Sequence, residues 1–266
     1  MPKHLSLPEL ISLKGQKVLV TGAASGIGHA IALRLAEAGA SLDLVDINFE
    51  GLQALKAELE PFDSRVTLYK VDLSQKSRID RLWLSLTGEE PDILVNNAGI
   101  YPFKDTLEVD EAFLQKIMDL NLFSVFWMCQ NMLRLRGKRG GVIINLASIE
   151  ALLPFTSGLV PYNMSKIGVI GLTRSLANEY GKLGFRINVV VPGGITTQGT
   201  KAVAKRLVTK LDLGLLDTGY KFRARLPLKH SGQPDEVARM VLVLASGLAS
   251  YVQGAVIPVD GGFLSA

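Results

Sequence analysis

Lys17-Val-Leu-Val-Thr-Gly-Ala-Ala-Ser-Gly-Ile-Gly28 is an apolar run that passes straight into a glycine-rich turn, with helical periodicity opening directly behind it. The run is short and bounded by glycine, which predicts a buried strand. Glycines 22, 26 and 28 let the backbone turn tightly and approach a bound group closely. They do so where a helix begins, and the unpaired N–H groups and dipole there favour an anion such as a pyrophosphate. A strand, a glycine turn and a helix in this order start a βαβ unit.

The same alternation continues outward. Strand-like runs stand at 17–21, 41–46, 66–71, 92–95, 141–147, 186–191 and 255–259. Helical segments lie between the first six, for instance 27–37, stopped at Gly39, and 161–180, followed by Gly181. Strands that alternate with helices pair in parallel through right-handed crossovers. The expected fold is α/β, a Rossmann-like doubly wound parallel sheet of about seven strands with helices on both faces. No repeat or linker divides the chain, so residues 1–266 are expected to form one domain. Residues 1–14 form an N-terminal arm without a catalytic role. Residues 196–229 interrupt the alternation for longer than a connecting loop needs, as substrate lids do.

Composition narrows the function classes. A chain of 266 residues with 48% hydrophobic content can bury a large core. Its one cysteine, Cys129, excludes an internal disulfide and fits a reducing, cytoplasmic setting. No apolar run is long enough to span a bilayer, so no membrane association is expected. The net charge of +4 is concentrated: residues 196–229 carry eight lysines and arginines against Asp212 and Asp217. Such a segment could draw an anionic substrate, a phosphorylated sugar or an acyl thioester. Residues 200–211 also read as an amphipathic helix with a solvated basic face. Beyond the lid, only Arg134-Leu-Arg-Gly-Lys-Arg139 is strongly basic, and it sits at a helix C-terminus, so no nucleic-acid partner is expected. His4, His29 and His230 are scattered, and no metal site is expected. Ser148 has no Gly-x-Ser-x-Gly elbow or partner histidine for acyl-enzyme chemistry.

The chemistry is carried by Tyr162 and Lys166. Four positions apart on a helix, they share a face one turn apart. A phenol titrates near pH 10 and is a poor base at neutral pH, but a neighbouring cation favours the phenolate. Such a pair can exchange a proton with an alcohol. Asp46 ends the second strand, where a carboxylate accepts hydrogen bonds from an adenosine ribose and repels a 2′-phosphate. Ala24, Ser25 and Ile47 offer no cation for that phosphate, so NAD is expected over NADP.

Together, the glycine turn, Asn96-Asn-Ala-Gly99, Ser148, Tyr162-x-x-x-Lys166 and Pro192-Gly193 resemble the classical short-chain dehydrogenases/reductases over nearly the whole chain. The resemblance implies that Tyr162 is the general acid/base and that Lys166 lowers its pKa and holds the nicotinamide ribose. Ser148 would bind the substrate oxygen, and Asn121 would anchor a proton-relay water. Cofactor contacts fall to Gly22, Ser25, Gly26, Ile27, Gly28, Asp46, Asp72, Leu73, Asn97, Ala98, Gly99, Tyr162, Lys166, Pro192, Gly193, Ile195 and Thr197. Read without the family, Asp72 begins a turn or caps a helix, and Asn121 satisfies backbone groups. Ser148 and Tyr162 stand 14 positions apart, one more than is common in the family, so residues 154–161 carry an extra loop residue.

The expected activity is NAD(H)-dependent interconversion of a secondary alcohol and a ketone by hydride transfer. The substrate is a sugar or polyol, or a hydrophobic alcohol facing a wall of Ile100, Tyr101, Phe103, Leu152, Leu153, Phe155 and Leu159. Alternatives are a 3-oxoacyl thioester reductase using NADPH and a non-catalytic dinucleotide sensor, which would have no need of Ser148, Tyr162 and Lys166. The resemblance further implies a homotetramer.

Overall fold

The computed structural model describes residues 5–197 and 222–266. Seven strands form one parallel sheet: β1 (Lys17–Thr21), β2 (Ser41–Asp46), β3 (Val66–Lys70), β4 (Ile93–Asn96), β5 (Gly141–Leu146), β6 (Phe185–Pro192) and β7 (Val256–Val259). Their order is β3-β2-β1-β4-β5-β6-β7. The sheet therefore reverses direction between β1 and β4, where Val20 pairs with Val95, and an open α/β sheet binds ligands at such a switch point. The central strands are near-continuous runs of valine, leucine and isoleucine because helices cover both faces.

On one face pack α2 (Gly26–Glu37), α3 (Phe49–Leu59) and α8 (Pro234–Ala245), burying Leu35, Leu52 and Val241. On the other lie α4 (Lys76–Ser85), α5 (Glu111–Met118), α6 (Ser124–Arg136) and α7 (Val160–Tyr180), with Trp83, Met128 and Val169 inside. Pro161 starts α7, where its missing N–H costs nothing, and Gly181 caps the end. The Glu236 carboxylate reaches back over the start of α8, accepting from the Gln233 N–H at 2.8 Å.

The expected strands are observed to within a residue. Val71 and Ala147 lie just past strand ends, each still donating one ladder bond, to the carbonyls of Asp46 and Val190. Within the described part of the N-terminal arm, Ser6 and Glu9 cap a short helix, α1 (Leu7–Ile11), and Leu13 is buried. Cys129 is a core thiol, its pKa pushed up to about 12 by burial. Most of the expected lid, including the amphipathic stretch 200–211, lies outside the described residues. Among the described residues, no helix is long and apolar enough to cross a membrane.

Candidate active site

The site is assembled at the carboxyl ends of β1, β2, β4, β5 and β6. Gly22 leaves β1 with φ +65°, and a Cβ there would stand 2.8 Å from the Ala98 Cα. A Cβ on Gly28 would fall on the Gly22 carbonyl oxygen, so α2 can pack this close only through glycine. Thr21 locks the turn to β4: its Oγ1 accepts from the N–H groups of Asn97 (3.0 Å) and Ala98 (3.1 Å). The Asn97 amide returns the tie, donating to the carbonyls of Thr21 and Gly22 at 3.1 and 3.0 Å. Ser25 precedes α2 without a side-chain capping bond, so its hydroxyl does not take up the N–H groups of the first turn.

At the end of β2, Asp46 accepts from the N–H groups of Ala24 (3.0 Å) and Asn48 (2.9 Å), which fix its carboxylate beside the glycine turn. Asp72 also borders the groove, but its carboxylate is engaged by Ser74 and Gln75, which hold it below the usual carboxylate range. Its turn-forming role is thus the one its hydrogen bonds show. The groove, about 380 Å³, is lined by Gly22, Ser25, Gly26, Asp46, Leu73 and Ala98 among others, and by no lysine or arginine among the described residues. A glycine-rich turn with only small side chains, at an open helix start and beside an oriented carboxylate, fits a dinucleotide.

Ile27, Asn97, Gly99, Ile100 and Thr197 line both this groove and a neighbouring cleft of about 460 Å³. The cleft contains Ser148, Tyr162, Lys166, Pro192, Gly193 and Ile195. Ser148 follows β5, and its Oγ accepts from the Glu150 N–H at 3.3 Å. Tyr162 lies in the first turn of α7 and lines the same cleft as Ser148. One turn on, Lys166 is buried, with Nζ 5.9 Å from the centre of the Tyr162 ring and donating to the Leu146 carbonyl at 3.0 Å.

The electrostatics differ from the expectation for an isolated Tyr–Lys pair. Burial pushes the Tyr162 phenol up to about 12 and Lys166 down to about 8. Ser148 opposes the first shift, and Glu150 adds to it. Within the protein's own groups desolvation is the first cause of both shifts, because each group loses the water that would solvate its charged form.

Of the expected residues, Gly28 and Asn121 do not line the cavity. Gly28 acts sterically, as above. Asn121 is buried in a π-helical turn, Asp119–Phe123, between α5 and α6. Its Oδ1 accepts from the Ile100 N–H (2.9 Å), and its Nδ2 donates to the Ile100 carbonyl (2.9 Å) and Ser165 Oγ (3.3 Å). Its amide thus satisfies backbone and braces the segment after Gly99.

The expected apolar wall is only partly present. Ile100, Tyr101 and Phe155 line the cleft, whereas Phe103, Leu152, Leu153 and Leu159 do not. Leu152 turns outward and Leu159 into the core. Thr21, Ile149 and Glu150 were not anticipated. Glu150 alone had a visible signal, a carboxylate two residues past Ser148 in an otherwise apolar stretch. Among the described residues no cluster suited to a metal occurs.

The family model described as enoyl-(acyl carrier protein) reductase matches residues 22–264. The chain is 36% identical over 256 residues to 3beta-hydroxysteroid dehydrogenase 2 of Eggerthella lenta, covering 94% of this chain and 95% of that protein. It is 37% identical over 264 residues to 2-dehydro-3-deoxy-D-gluconate 5-dehydrogenase of Bacillus subtilis, covering 97% and 98%. A crystal structure from Agrobacterium tumefaciens, described as a candidate 2-deoxy-D-gluconate 3-dehydrogenase with bound NADP, matches with a TM-score of 0.86 at 31% identity, over 97% of this chain and 99% of that one. Full-length likeness of this degree, in a chain whose Ser148, Tyr162 and Lys166 meet in one cleft, makes the assignment direct: the chain belongs to the classical short-chain dehydrogenase/reductase family, oxidoreductases that act on hydroxyl and keto groups.

Proposed function

We propose that the chain interconverts a secondary alcohol and a ketone with NAD(H), using Tyr162 as general acid/base. The observation that carries this reading is the adjoining of two cavities, one with the Ser148–Tyr162–Lys166 group and one with the glycine turn and Asp46. Gly22, Ser25, Gly26, Ile27 and Thr197 would hold the pyrophosphate, Asp46 the adenosine ribose, and Asp72, Leu73 and Ala98 the adenine side. Asn97, Gly99, Tyr162, Lys166, Pro192, Gly193 and Ile195 would hold the nicotinamide end. Asp46 and the lack of a described basic residue in the groove support NAD, although NADP is bound in the Agrobacterium structure.

When bound, the nicotinamide accepts or donates the hydride and, oxidised, brings a positive charge. Tyr162 takes the hydroxyl proton in oxidation and returns it in reduction. Ser148, its Oγ held by the Glu150 N–H, would direct its hydroxyl to the substrate oxygen. Lys166, fixed by Leu146, stabilises the phenolate. Asn121 positions Ile100 and keeps that wall in place.

A homotetramer is part of the proposal. Phe123, Phe126, Val160, Met164 and Ile167 expose apolar surface on and beside α6 and α7, which self-association would cover. The buried, reduced Cys129 supports a cytoplasmic location. The test is a panel of alcohols and ketones followed by nicotinamide absorbance, with NAD(H) and NADP(H) in parallel, alongside light scattering. Turnover of none of them with either nucleotide would refute the activity, and a monomer would refute the assembly.

A further inference from the structure

The cleft beside Ser148 and Tyr162 has rigid aromatic sides. Tyr101 meets Tyr162 edge-to-face at 4.8 Å and 85°, and is held from its other side by Phe103 at 5.0 Å and 83°. Phe155, which also lines the cleft, is braced from two distant parts of the chain. Its ring stacks on Phe222 at 5.3 Å and packs on Phe263 at 4.7 Å, and those two rings stack on each other at 4.9 Å. Three interlocked rings and a T-shaped pair lose little on ordering and present flat apolar faces. The loop that carries Phe155 is pinned as well, since Lys104 donates its N–H to the Gly158 carbonyl at 3.0 Å. The extra residue between Ser148 and Tyr162 therefore lies in a fixed loop.

Charge in the cleft is equally restricted. Among the described residues, the charged side chains lining it are Lys166 and Glu150. Lys166 is engaged by Leu146 and stands by Tyr162, at the reacting end. Glu150 is 2% exposed, and one carboxyl oxygen accepts from the Phe155 N–H at 3.2 Å, while the other has no hydrogen-bond partner in the protein. A buried carboxyl with a spare acceptor repels a substrate anion when ionised, and when neutral it still offers no compensating cation. Burial raises the pKa of both Tyr101 and Tyr162, and the Glu150 charge adds to it.

We propose that this cleft selects a neutral, ring-bearing secondary alcohol or its ketone, and that Tyr101 and Glu150 are specificity-determining residues, the first by stacking and the second by excluding anions. This rests on the oxidoreductase reading and sharpens it against phosphorylated sugars, sugar acids and acyl thioesters of acidic carriers.

The test uses a matched pair of substrates, a hydroxycyclohexane carboxylate and its methyl ester, assayed at alkaline pH with the full-length enzyme. The ester is expected to have the higher kcat/KM by about tenfold or more, equivalent to roughly 1.4 kcal/mol. Glu150→Gln keeps an acceptor for Phe155 and removes the charge, and it should narrow that ratio several-fold through the KM of the acid. Tyr101→Leu should raise KM for the ester more than it lowers kcat, and it provides a second reading if Glu150→Gln fails to fold. An acid turned over as well as its ester, or a ratio unmoved in a folded Glu150→Gln, overturns the proposal. So does turnover confined to open-chain polyols. If no alcohol or ketone is turned over with either nucleotide while nucleotide still binds, the oxidoreductase reading itself falls.

Discussion

Lys166 donates from Nζ to the main-chain carbonyl of Leu146 at 3.0 Å, joining α7 to the last residue of β5. Leu146 stands two residues before Ser148, so one ammonium group ties together the two elements that carry Ser148 and Tyr162. The hydrogen bond orients the cation but does not replace the water it has lost, and its pKa falls to about 8.

Lys166→Met should therefore separate two effects. Turnover should fall at least about 100-fold, since an electrostatic group aimed at the reacting centre is removed. Stability should move the other way. The folded-state pKa of Lys166 is about 8, below its ordinary 10.5, so between these values the unfolded chain binds more protons and stability rises with pH. Below that window the native state bears a desolvation cost on the order of 3 kcal/mol, which the methionine variant escapes. Urea titrations from neutral to alkaline pH should show a rising wild-type stability and a flatter variant.

Tyr162→Phe should lower kcat by roughly 100-fold to 10,000-fold, the usual contribution of a positioned acid/base. Nucleotide affinity, read by fluorescence titration, should change little. Near-wild-type turnover would show that another group carries the proton.

The pH profile follows from the raised phenol. Oxidation needs phenolate and reduction needs phenol, and burial holds Tyr162 at about 12 within the protein's own groups. The kcat/KM for alcohol oxidation should climb through the alkaline range, while that for ketone reduction should decline. An oxidation rate that falls as pH rises above neutral would contradict the assignment.

Asp46→Ala combined with Ile47→Arg should reverse the nucleotide preference. The carboxylate held by Ala24 and Asn48 is removed, and a cation is placed on the exposed neighbouring position. The NAD-to-NADP ratio of kcat/KM should drop at least about tenfold, or roughly 1.4 kcal/mol. An unchanged ratio would place the selecting residue elsewhere.

Gly28→Ala should destabilise the fold, because its Cβ would fall on the Gly22 carbonyl oxygen, a main-chain atom with no rotamer to yield. A loss of about 1–3 kcal/mol is expected, with a lower Tm and weaker nucleotide binding. Full stability would mean that the glycine turn moves more freely than its packing implies.

Much of the fold was legible because its signals are local. Each strand is a short apolar run, and each of the helices at 27–37 and 161–180 ends at a glycine. The observed strand ends lie within a residue of the expected ones. Other features required segments far apart in sequence to meet. The Asn121 amide is taken up by both backbone groups of Ile100, 21 residues away, a pairing that no local signal shows. Thr21 gave no signal, since an acceptor for Asn97 and Ala98 exists only once β1 lies beside β4. Leu152 and Phe155 were indistinguishable as wall residues until the loop closed with one turned out and the other in.

The sequence by itself determined the doubly wound sheet, the glycine turn and the Ser148–Tyr162–Lys166 order, because strand period, helix spacing and glycine geometry act over a few residues. Only the tertiary structure decided the charge state of that group and the character of its cleft. Both depend on how completely water is excluded and on which distant side chains converge. Exclusion of water raised Tyr162 and lowered Lys166, and convergence set Glu150, Tyr101 and Phe155 in one cleft with Ser148.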